Sequence, residues 1–435
     1  MDGNRLNISD EAKKSLAKSG DMVGDEPLAE DATPKPAYPP PAEKPTQQAS
    51  LDIRYDFNHG ARITLPERAS GKWRTILRDL DTGNILFQSE NRGAFVCSSK
   101  RYFIRFGIDI WDVDAKGSAT QVLSHVYDAC GKDVLVQFPI GTLGDILAWF
   151  PYAVRFAEVH GCRLTCAFSE LIIPLVRDAY PNIRFVTHEE LVEQNLAETF
   201  YATYSMGLFF DDADNIYQPT DFRMVGLHRT AGYILGVDPT ETPPLLALPD
   251  ESRPIPDPYV VIAVQSSTQA KYWNNPYGWR EVIGFLREKG YRVVCIDQKA
   301  INGTGFVWNH LPHGTEDETG DRPLVERARW LRHAECFIGL SSGLSWLAWA
   351  AGTPVVLISG FTHPTNEFAT PYRVINWHTC NSCWNDPRHR FEHRDFLWCP
   401  RHAGTERQFE CTRLITPSQV IDALKRIPEF ISAEP

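Results

Sequence analysis

The sequence predicts an α/β protein with two doubly wound lobes, preceded by a small antiparallel β domain. Apolar strand-like runs alternate with helical runs twice, first between 133 and 186 and again between 259 and 358. This alternation is typical of right-handed βαβ units that build a parallel sheet. Prolines at Pro243, Pro244 and between 254 and 258 separate the two halves, which indicates a hinge. Two such lobes form a ligand cleft where the strands end.

Composition and motif spacing divide the 435 residues into six predicted segments. The start of the chain is rich in charged residues and proline, and therefore predicts disorder. Period-two runs and Gly/Asn turns after residue 50 predict antiparallel strands. The segments are a disordered Pro-rich tail (1–50), the β domain (51–130), a first Rossmann-like lobe (131–250), a second Rossmann-like lobe (251–375), a cysteine segment (376–412) and a C-terminal helix (413–435).

Net charge and apolar runs exclude two classes of protein. The formal net charge of −11 opposes nucleic-acid binding, which needs a basic surface to displace phosphate counterions. The most apolar stretch, 344–361, is interrupted by Gly352, Thr353 and Pro354, so it falls short of the roughly 20 residues of a membrane span. No apolar signal region follows Met1. We therefore expect a cytoplasmic protein without a membrane span or a nucleic-acid partner.

The first candidate site is the turn that follows the first strand of the first lobe, Gly141-Thr142-Leu143-Gly144-Asp145. Its backbone N–H groups lie at a helix N-terminus and can hold an oxyanion or a sugar hydroxyl. Asp145 has two interpretations, a helix-capping carboxylate or a catalytic base. The turn lacks the GxGxxG pattern, which disfavours a nicotinamide cofactor.

The second lobe supplies candidate ligands for a diphosphate. Lys271 follows a strand and a run of polar side chains that includes Gln265 and Thr268. A lysine at the end of a strand facing a cleft is a suitable partner for a diphosphate, although such a lysine is more often a solvated charge. Asp297 ends the next strand, where the base or ribose of a nucleotide could bind.

A strand–turn–helix motif at Ser341-Ser342-Gly343 completes the predicted donor site. Either serine could simply cap the helix. The same exposed N–H groups and hydroxyls also suit a phosphate. The two lobes together thus predict a cleft with a carboxylate on one side and diphosphate ligands on the other.

Four of the ten cysteines, Cys380, Cys383, Cys399 and Cys411, are clustered near the C-terminus. A Cys-x-x-Cys turn and two later cysteines can close a tetrahedral four-thiolate site. Four sulfurs suit zinc or iron, and spacing does not separate the two metals. A closed site leaves no open position for a substrate, so its role should be structural. The neighbouring His378, His389, His393 and His402 are spare ligands or surface residues.

The cleft motifs resemble the ADP-heptose transferases of lipopolysaccharide synthesis, glycosyltransferase family 9 with the GT-B fold. Those motifs are Gly141 to Asp145 and Gly339 to Trp349. With the cysteine spacing, residues 51 to 430 resemble the bacterial autotransporter heptosyltransferases. The resemblance implies that the first lobe faces the acceptor and the second binds the nucleotide sugar. It also implies one iron per chain at the four cysteines, with zinc as the alternative.

The resemblance further implies transfer of heptose from ADP-glycero-manno-heptose to serines of an autotransporter passenger domain. The reaction would invert the anomeric centre, with Asp145 as the base and no catalytic metal. A homo-oligomer is expected, as a large dodecamer-like ring built through the β domain and the cysteine segment. The alternatives are a lipopolysaccharide core heptosyltransferase, a nucleotide-sugar epimerase of similar fold, and a non-enzymatic metal-knuckle interaction protein.

Overall fold

A computed structural model describes residues 39–139 and 142–431. Most of the predicted disordered tail, residues 1–38, lies outside this range, as does Gly141 of the first-lobe turn. The strands are β1 Gln47–Gln48, β2 Arg54–Asn58, β3 Arg62–Leu65, β4 Lys72–Asp79, β5 Ile85–Asn91, β6 Ala94–Cys97, β7 Phe106–Val113, β8 Ala119–Val126, β9 Asp133–Gln137, β10 Arg163–Ala167, β11 Arg184–Val186, β12 Ala202–Ser205, β13 Tyr259–Ile262, β14 Arg292–Cys295, β15 Ile301–Thr304, β16 Val307–His310, β17 Glu316–Asp317, β18 Phe337–Leu340, β19 Val355–Ile358 and β20 Arg373–Val374.

The first seven α-helices connect successive strands, and the last three follow β20. They are α1 Leu143–His160, α2 Ile173–Val176, α3 His188–Glu193, α4 Phe222–Leu235, α5 Gly278–Glu288, α6 Leu324–Arg332, α7 Gly343–Ala350, α8 Glu410–Arg413, α9 Pro417–Leu424 and α10 Pro428–Ile431. None of these described helices has the combined length and apolar character that a membrane crossing requires.

The two lobes are organised around two sheets. The first sheet has the order β11-β10-β9-β12-β2-β3-β6, with β1 paired to β2. The second has the order β17-β14-β13-β18-β19-β20, and all of its strands are parallel. The central strands of both sheets are almost fully buried because helices cover them.

The predicted β domain is only partly separate from the first lobe. Strands β4, β5, β7 and β8 form their own antiparallel sheet, in the order β5-β4-β7-β8. Strand β2, however, pairs in parallel with β12, with Ala202 opposite Phe57. Phe57 is 1% exposed and belongs to the same core as the first lobe. The sheet of the first lobe therefore includes strands that the sequence assigned to residues 51–130.

The prediction that residues 1–50 are disordered is also wrong for the last few of these residues. Gln47 and Gln48 pair with β2, and the Thr46 backbone N–H donates to Asp56. Asp56 is fully buried and forms an ion pair with Arg62, whose guanidinium also donates to the Ala42 carbonyl. A buried ion pair needs every polar group around it to be satisfied, and residues 42–48 supply part of that shell.

Candidate active site

A cleft of about 1710 Å³ lies between the two lobes, at the carboxyl ends of the parallel strands of both sheets. It brings together nearly all of the residues that the sequence singled out. From the first lobe come Thr142, Leu143, Gly144 and Asp145; from the second come Gln265, Lys271, Asp297, Ser341, Ser342 and Gly343.

Two helix N-termini meet at the floor of this cleft. Helix α1 begins at Leu143 and helix α7 begins at Gly343. A methyl group on Gly144 would lie 2.7 Å from Trp346 Cδ1, and one on Gly343 would lie 3.0 Å from Leu143 Cβ. A side chain at residue 144 would force Trp346 to shift, and one at residue 343 would be tight against Leu143, so the two glycines allow the helices to approach. Both helix dipoles direct partial positive charge towards the floor, which favours an anionic ligand there.

Asp145 is held at the start of α1 by a capping box. Its Oδ2 accepts hydrogen bonds from the Thr142 backbone N–H at 2.8 Å and the Thr142 hydroxyl at 3.0 Å. Burial raises the pKa of Asp145, although the bonds from Thr142 and the charges of Lys271 and His393 oppose that rise. A raised pKa makes this carboxylate a better proton acceptor than a helix N-terminus alone would allow. Capping and catalysis are thus compatible.

Lys271 projects from the second lobe towards Asp145. Its Nζ lies 5.2 Å from the centre of the Phe361 ring and 5.9 Å from that of the Trp384 ring. Burial lowers the pKa of Lys271, and the carboxylates of Asp145 and Glu367 partly restore it. Within the described ranges, the Lys271 ammonium makes no hydrogen bond or ion pair, although the backbone N–H of this residue donates to the Thr268 carbonyl. This ammonium is therefore available to a negatively charged ligand.

A buried network of hydroxyls borders the second-lobe side of the cleft. The Ser341 hydroxyl bonds to the hydroxyls of Ser359 at 3.2 Å and Thr362 at 2.6 Å. Thr362 in turn donates to Glu367, which also pairs with Arg373. Ser341 is thus fixed by its neighbours. The Ser342 hydroxyl is buried and finds no partner in the described part of the chain, so it is free to donate to a ligand.

Asp297 lines the cleft but already has partners. It is 2% exposed, and its oxygens accept the backbone N–H groups of Val264 at 2.7 Å and Gln265 at 3.3 Å. Burial raises the pKa of Asp297 to about 6, and these bonds oppose the rise. Through these two bonds, Asp297 stabilises the loop that follows β13. Its predicted contact with a ribose or base stays a prediction.

Thr268 does not line the cleft, contrary to our expectation for it. It is 1% exposed, and its hydroxyl donates to the Phe396 carbonyl at 2.9 Å. The Gln269 backbone N–H donates to the same carbonyl at 2.8 Å. The side chain points away from the cleft because its hydroxyl bonds the cysteine segment to the loop between β13 and α5. Its contribution to a ligand site is indirect.

The cysteine segment is attached to the loop that follows β19. The Ser382 backbone N–H donates to the Gly360 carbonyl, and the Trp384 backbone N–H donates to the Phe361 carbonyl. A methyl group on Gly360 would lie 2.7 Å from the Cys411 carbonyl oxygen. The segment consequently packs against the same loop that carries Thr362 and Glu367 into the cleft.

All four cysteines of this segment are free and partly buried. The Cys411 thiol has a raised pKa, caused first by burial and then by the charges of Cys380, Cys383 and Cys399, so the four lie within electrostatic reach of one another. Ligand atoms of Cys380, His402 and Glu410 lie within 4.8 Å of one another. Glu410 already pairs with Arg407 and accepts the Cys380 backbone N–H. The closed four-cysteine site stays a prediction.

Several cleft residues were not anticipated. Thr362 and Glu367 lie beyond the end of β19, and their place after a buried strand was a signal available in the sequence. Trp384 and His393 come from the cysteine segment. His393 was considered only as a spare metal ligand or a surface residue. Nothing local in the sequence shows that this segment folds back over the cleft.

Models of two protein families match the chain. Residues 50–114 match the N-terminal domain of glycosyltransferase TibC. Residues 241–394 match glycosyltransferase family 9 (heptosyltransferase). The autotransporter heptosyltransferase TibC of Escherichia coli O78:H11 is 54% identical over 394 residues, which is 91% of this chain and 94% of that protein. The chain belongs to the autotransporter heptosyltransferase family. This confirms the family and the enzyme class predicted from the motifs.

Other relatives and solved structures support the same family assignment. The autotransporter heptosyltransferase Aah of Escherichia coli is 52% identical over 90% of this chain and 97% of its own length. A crystal structure described as iron-containing dodecameric glycosyltransferase TibC from enterotoxigenic E. coli has a TM-score of 0.83 and 53% identity, covering 90% of this chain and 99% of that one. These likenesses confirm the α/β glycosyltransferase fold with an N-terminal β domain. They do not favour the core heptosyltransferase, epimerase or non-enzymatic alternatives.

One relative shows that membership of this family does not guarantee catalysis. BimC of Burkholderia thailandensis is 47% identical over 92% of this chain and 92% of its own length, and is named an inactive autotransporter heptosyltransferase. Activity therefore depends on which residues line the cleft, and it has to be measured directly.

Proposed function

We propose that this chain is an active transferase that moves heptose from ADP-heptose to serine hydroxyls of an autotransporter passenger domain. The placement of Asp145 on the first lobe opposite Lys271 on the second, in one cleft, carries the proposal. Support for the donor comes from a TibC structure in complex with ADP-D-beta-D-heptose, with a TM-score of 0.82 and 52% identity over 91% of this chain and 100% of that one.

The donor is held by its diphosphate on the second-lobe side. Lys271 supplies a positive charge, the free Ser342 hydroxyl a hydrogen bond, and the N-terminus of α7 its backbone N–H groups. Gln265 lies nearby, although its side-chain amide already donates to the Lys299 carbonyl. These groups stabilise the charge that develops on the departing ADP. A divalent ion is then unnecessary for the reaction.

Asp145 is the proposed base. The serine hydroxyl loses its proton to Asp145 while its oxygen attacks the anomeric carbon. The bond between that carbon and the β-phosphate oxygen breaks, and ADP leaves with the electron pair. Attack by one acceptor oxygen from the face opposite ADP inverts the centre, so a β-linked donor gives an α-linked product.

The decisive experiment uses purified protein, ADP-heptose and three acceptor conditions: an autotransporter passenger domain, a lipopolysaccharide core acceptor, and none. Mass spectrometry of the passenger should show heptose on serine peptides. Transfer only to the core acceptor would support the core heptosyltransferase alternative, and release of an altered free sugar would support an epimerase. If no product forms under any condition, the chain lacks transferase activity, as the name of BimC states for that relative.

The proposal also assigns one iron per chain to Cys380, Cys383, Cys399 and Cys411, with zinc as the alternative. Thiolates are suitable ligands for either metal, and all four side chains are free. His402 is the spare ligand, because its ring lies within 4.8 Å of the Cys380 Sγ. When bound, the metal would cross-link a segment rich in loops and hold it against the cleft.

The proposed assembly is a homo-oligomer, for which the TibC dodecamer is the precedent. Two exposed apolar surfaces support self-association. The first is the hairpin of β15 and β16, where Phe306 is fully exposed and Trp308 is 55% exposed. The second is edge strand β5, with Ile85 and Phe87 exposed. The β domain was expected to take part, whereas the hairpin is a surface that the sequence did not suggest.

The proposed compartment is the cytoplasm. All ten cysteines of the chain are free, which suits a reducing environment. Fractionation of the native cell, followed by immunodetection, tests this assignment.

A further inference from the structure

The part of the cysteine segment between Cys383 and Cys399 forms one wall of the cleft. Arg390, Phe391, Glu392 and His393 all line it. This wall faces both lobes, because Arg390 forms an ion pair with Asp211 of the first lobe at 2.8 Å. The segment therefore does more than hold a metal, and its cleft-facing side chains are candidates for contact with the substrate.

His393 is held in place although its ring is exposed to the cleft. The centre of its ring lies 4.6 Å from that of the Phe391 ring. Phe391 is itself buried, with its ring centre 5.4 Å from that of Phe361 and 5.1 Å from that of Trp398. On the other side, the Phe396 carbonyl receives the two hydrogen bonds from Thr268 and Gln269. The chain is thus anchored on both sides of His393, through the buried Phe391 ring and through the Phe396 carbonyl.

Four charged groups act on His393. Burial and the charge of Lys271 lower the pKa of His393, with Arg390 adding to this effect, whereas Glu392 and Asp145 raise it. The net effect keeps the imidazole neutral near pH 7. A neutral imidazole has one donor and one acceptor nitrogen, which suits a hydroxyl group better than a phosphate.

The place of His393 indicates which hydroxyl it meets. It lines the same cleft as Asp145 and Lys271, and the charges of both act on its ring. In the proposed function, Asp145 faces the attacking oxygen and Lys271 faces the diphosphate. The part of the substrate between those two points is the transferred sugar.

We propose that His393 hydrogen-bonds to a hydroxyl of the transferred sugar and so contributes to selection of the donor. The inference rests on the proposed function and adds a sugar-binding residue from outside the two lobes. It also gives the cysteine segment a direct part in the active site.

Calorimetry with two ligands tests this. ADP and ADP-heptose are titrated into the full-length protein carrying His393→Ala. We expect ADP affinity within twofold of wild type and ADP-heptose affinity about three- to tenfold weaker, the scale of one lost neutral hydrogen bond. His393→Gln should recover part of the loss, because the amide also donates and accepts.

The matched control is His389→Ala. His389 belongs to the same segment, lies 3.8 Å from Asp386 and does not line the cleft. It should bind both ligands normally. Equal weakening of ADP and ADP-heptose by His393→Ala, or no change in either, would overturn the inference. Failure of wild-type protein to bind ADP-heptose would instead refute the proposed function.

Discussion

Gly144 and Trp346 lie against each other across the lobe junction, so that a methyl group on Gly144 would come within 2.7 Å of Trp346 Cδ1. Trp346 is 4% exposed and packs against Trp349 and Phe368, with ring centres 5.5 and 5.0 Å away. The indole therefore has little room to move. The distance between the two lobes at the cleft floor depends on the absence of a side chain at residue 144.

Gly144→Ala should therefore push the lobes apart at the floor of the cleft. We expect a loss of about 1–3 kcal/mol in the free energy of unfolding, the usual cost of overpacking, together with weaker ADP binding. Gly284→Ala is the control, since nothing lies within 4 Å of the added methyl and the residue is inside helix α5. That variant should be neutral or stabilised by up to about 1 kcal/mol. Equal melting temperatures for the two variants would contradict the close contact.

Lys271→Ala should weaken ADP binding at least about tenfold, because a charge-assisted contact is worth roughly 1.5–3 kcal/mol. ADP-heptose should be affected to the same extent, since the lysine contacts the part that both ligands share. Lys289→Ala, at an exposed position after helix α5, is the control. Unchanged calorimetric affinity in Lys271→Ala would refute the diphosphate assignment.

Asp145→Asn should bind ADP-heptose nearly normally and transfer heptose about 100-fold more slowly, the usual scale for a lost general base. The amide oxygen can still accept the bond from the Thr142 backbone N–H, so the start of α1 should survive. In wild type, turnover should fall as the pH drops through a value above the ordinary aspartate pKa, because burial raises the pKa of Asp145. Near-normal turnover of Asp145→Asn would place the base elsewhere.

Chelation separates the metal-free reaction from the structural metal. Wild-type transfer should persist in EDTA under conditions in which metal analysis shows that the bound iron is retained. Loss of transfer with iron still bound would mean that a second, exchangeable metal takes part.

Cys380→Ser and Cys399→Ser should each lower the metal content from about one per chain and reduce solubility or assembly. Cys97→Ser, at an exposed cysteine of strand β6, should leave metal and assembly unchanged. Elemental analysis and light scattering report the two properties separately. Complete metal loss with normal folding and normal size would eliminate a structural role for the metal.

Phe306→Asp on the β15–β16 hairpin should shift the protein to smaller species in light scattering while leaving ADP affinity intact. Phe87→Asp tests the exposed edge of the β domain in the same way, and Val159→Asp, at an exposed apolar residue of helix α1, is the control. A wild-type monomer at micromolar concentration would contradict assembly altogether. Dissociation by Phe87→Asp alone would assign the interface to the β domain.

The sequence was sufficient to predict those cleft residues that directly follow a strand along the chain. Thr142 to Asp145 and Ser341 to Gly343 each follow a buried strand of a different sheet, and two Rossmann-like lobes form their ligand cleft where those strands end. Their convergence was therefore predictable. Thr268 shows the limit of this reasoning. Its neighbours in sequence face the cleft, but its hydroxyl bonds to Phe396, a partner 128 residues away.

The rest depends on contacts between distant segments. Trp384 and His393 enter the cleft through the packing of the cysteine segment on the loop after β19. The boundary between the β domain and the first lobe was missed for the same reason. Alternation predicts antiparallel strands within 51–130, but not that one of them, β2, pairs with β12 almost 150 residues later.

The pairing of β2 with β12 determines which parts of the chain can fold separately. A chain that begins at residue 131 would keep strands β9 to β12 and their helices, but it would expose the backbone edge of β12, an unprotected template for aggregation. The N-terminal strands also pair with a partner far along the chain, which delays completion of this sheet during synthesis. They cannot be gained, lost or exchanged as an independent module. A portion able to fold alone should include residues 42–48 with β2, because these residues complete the shell around the buried Asp56–Arg62 pair.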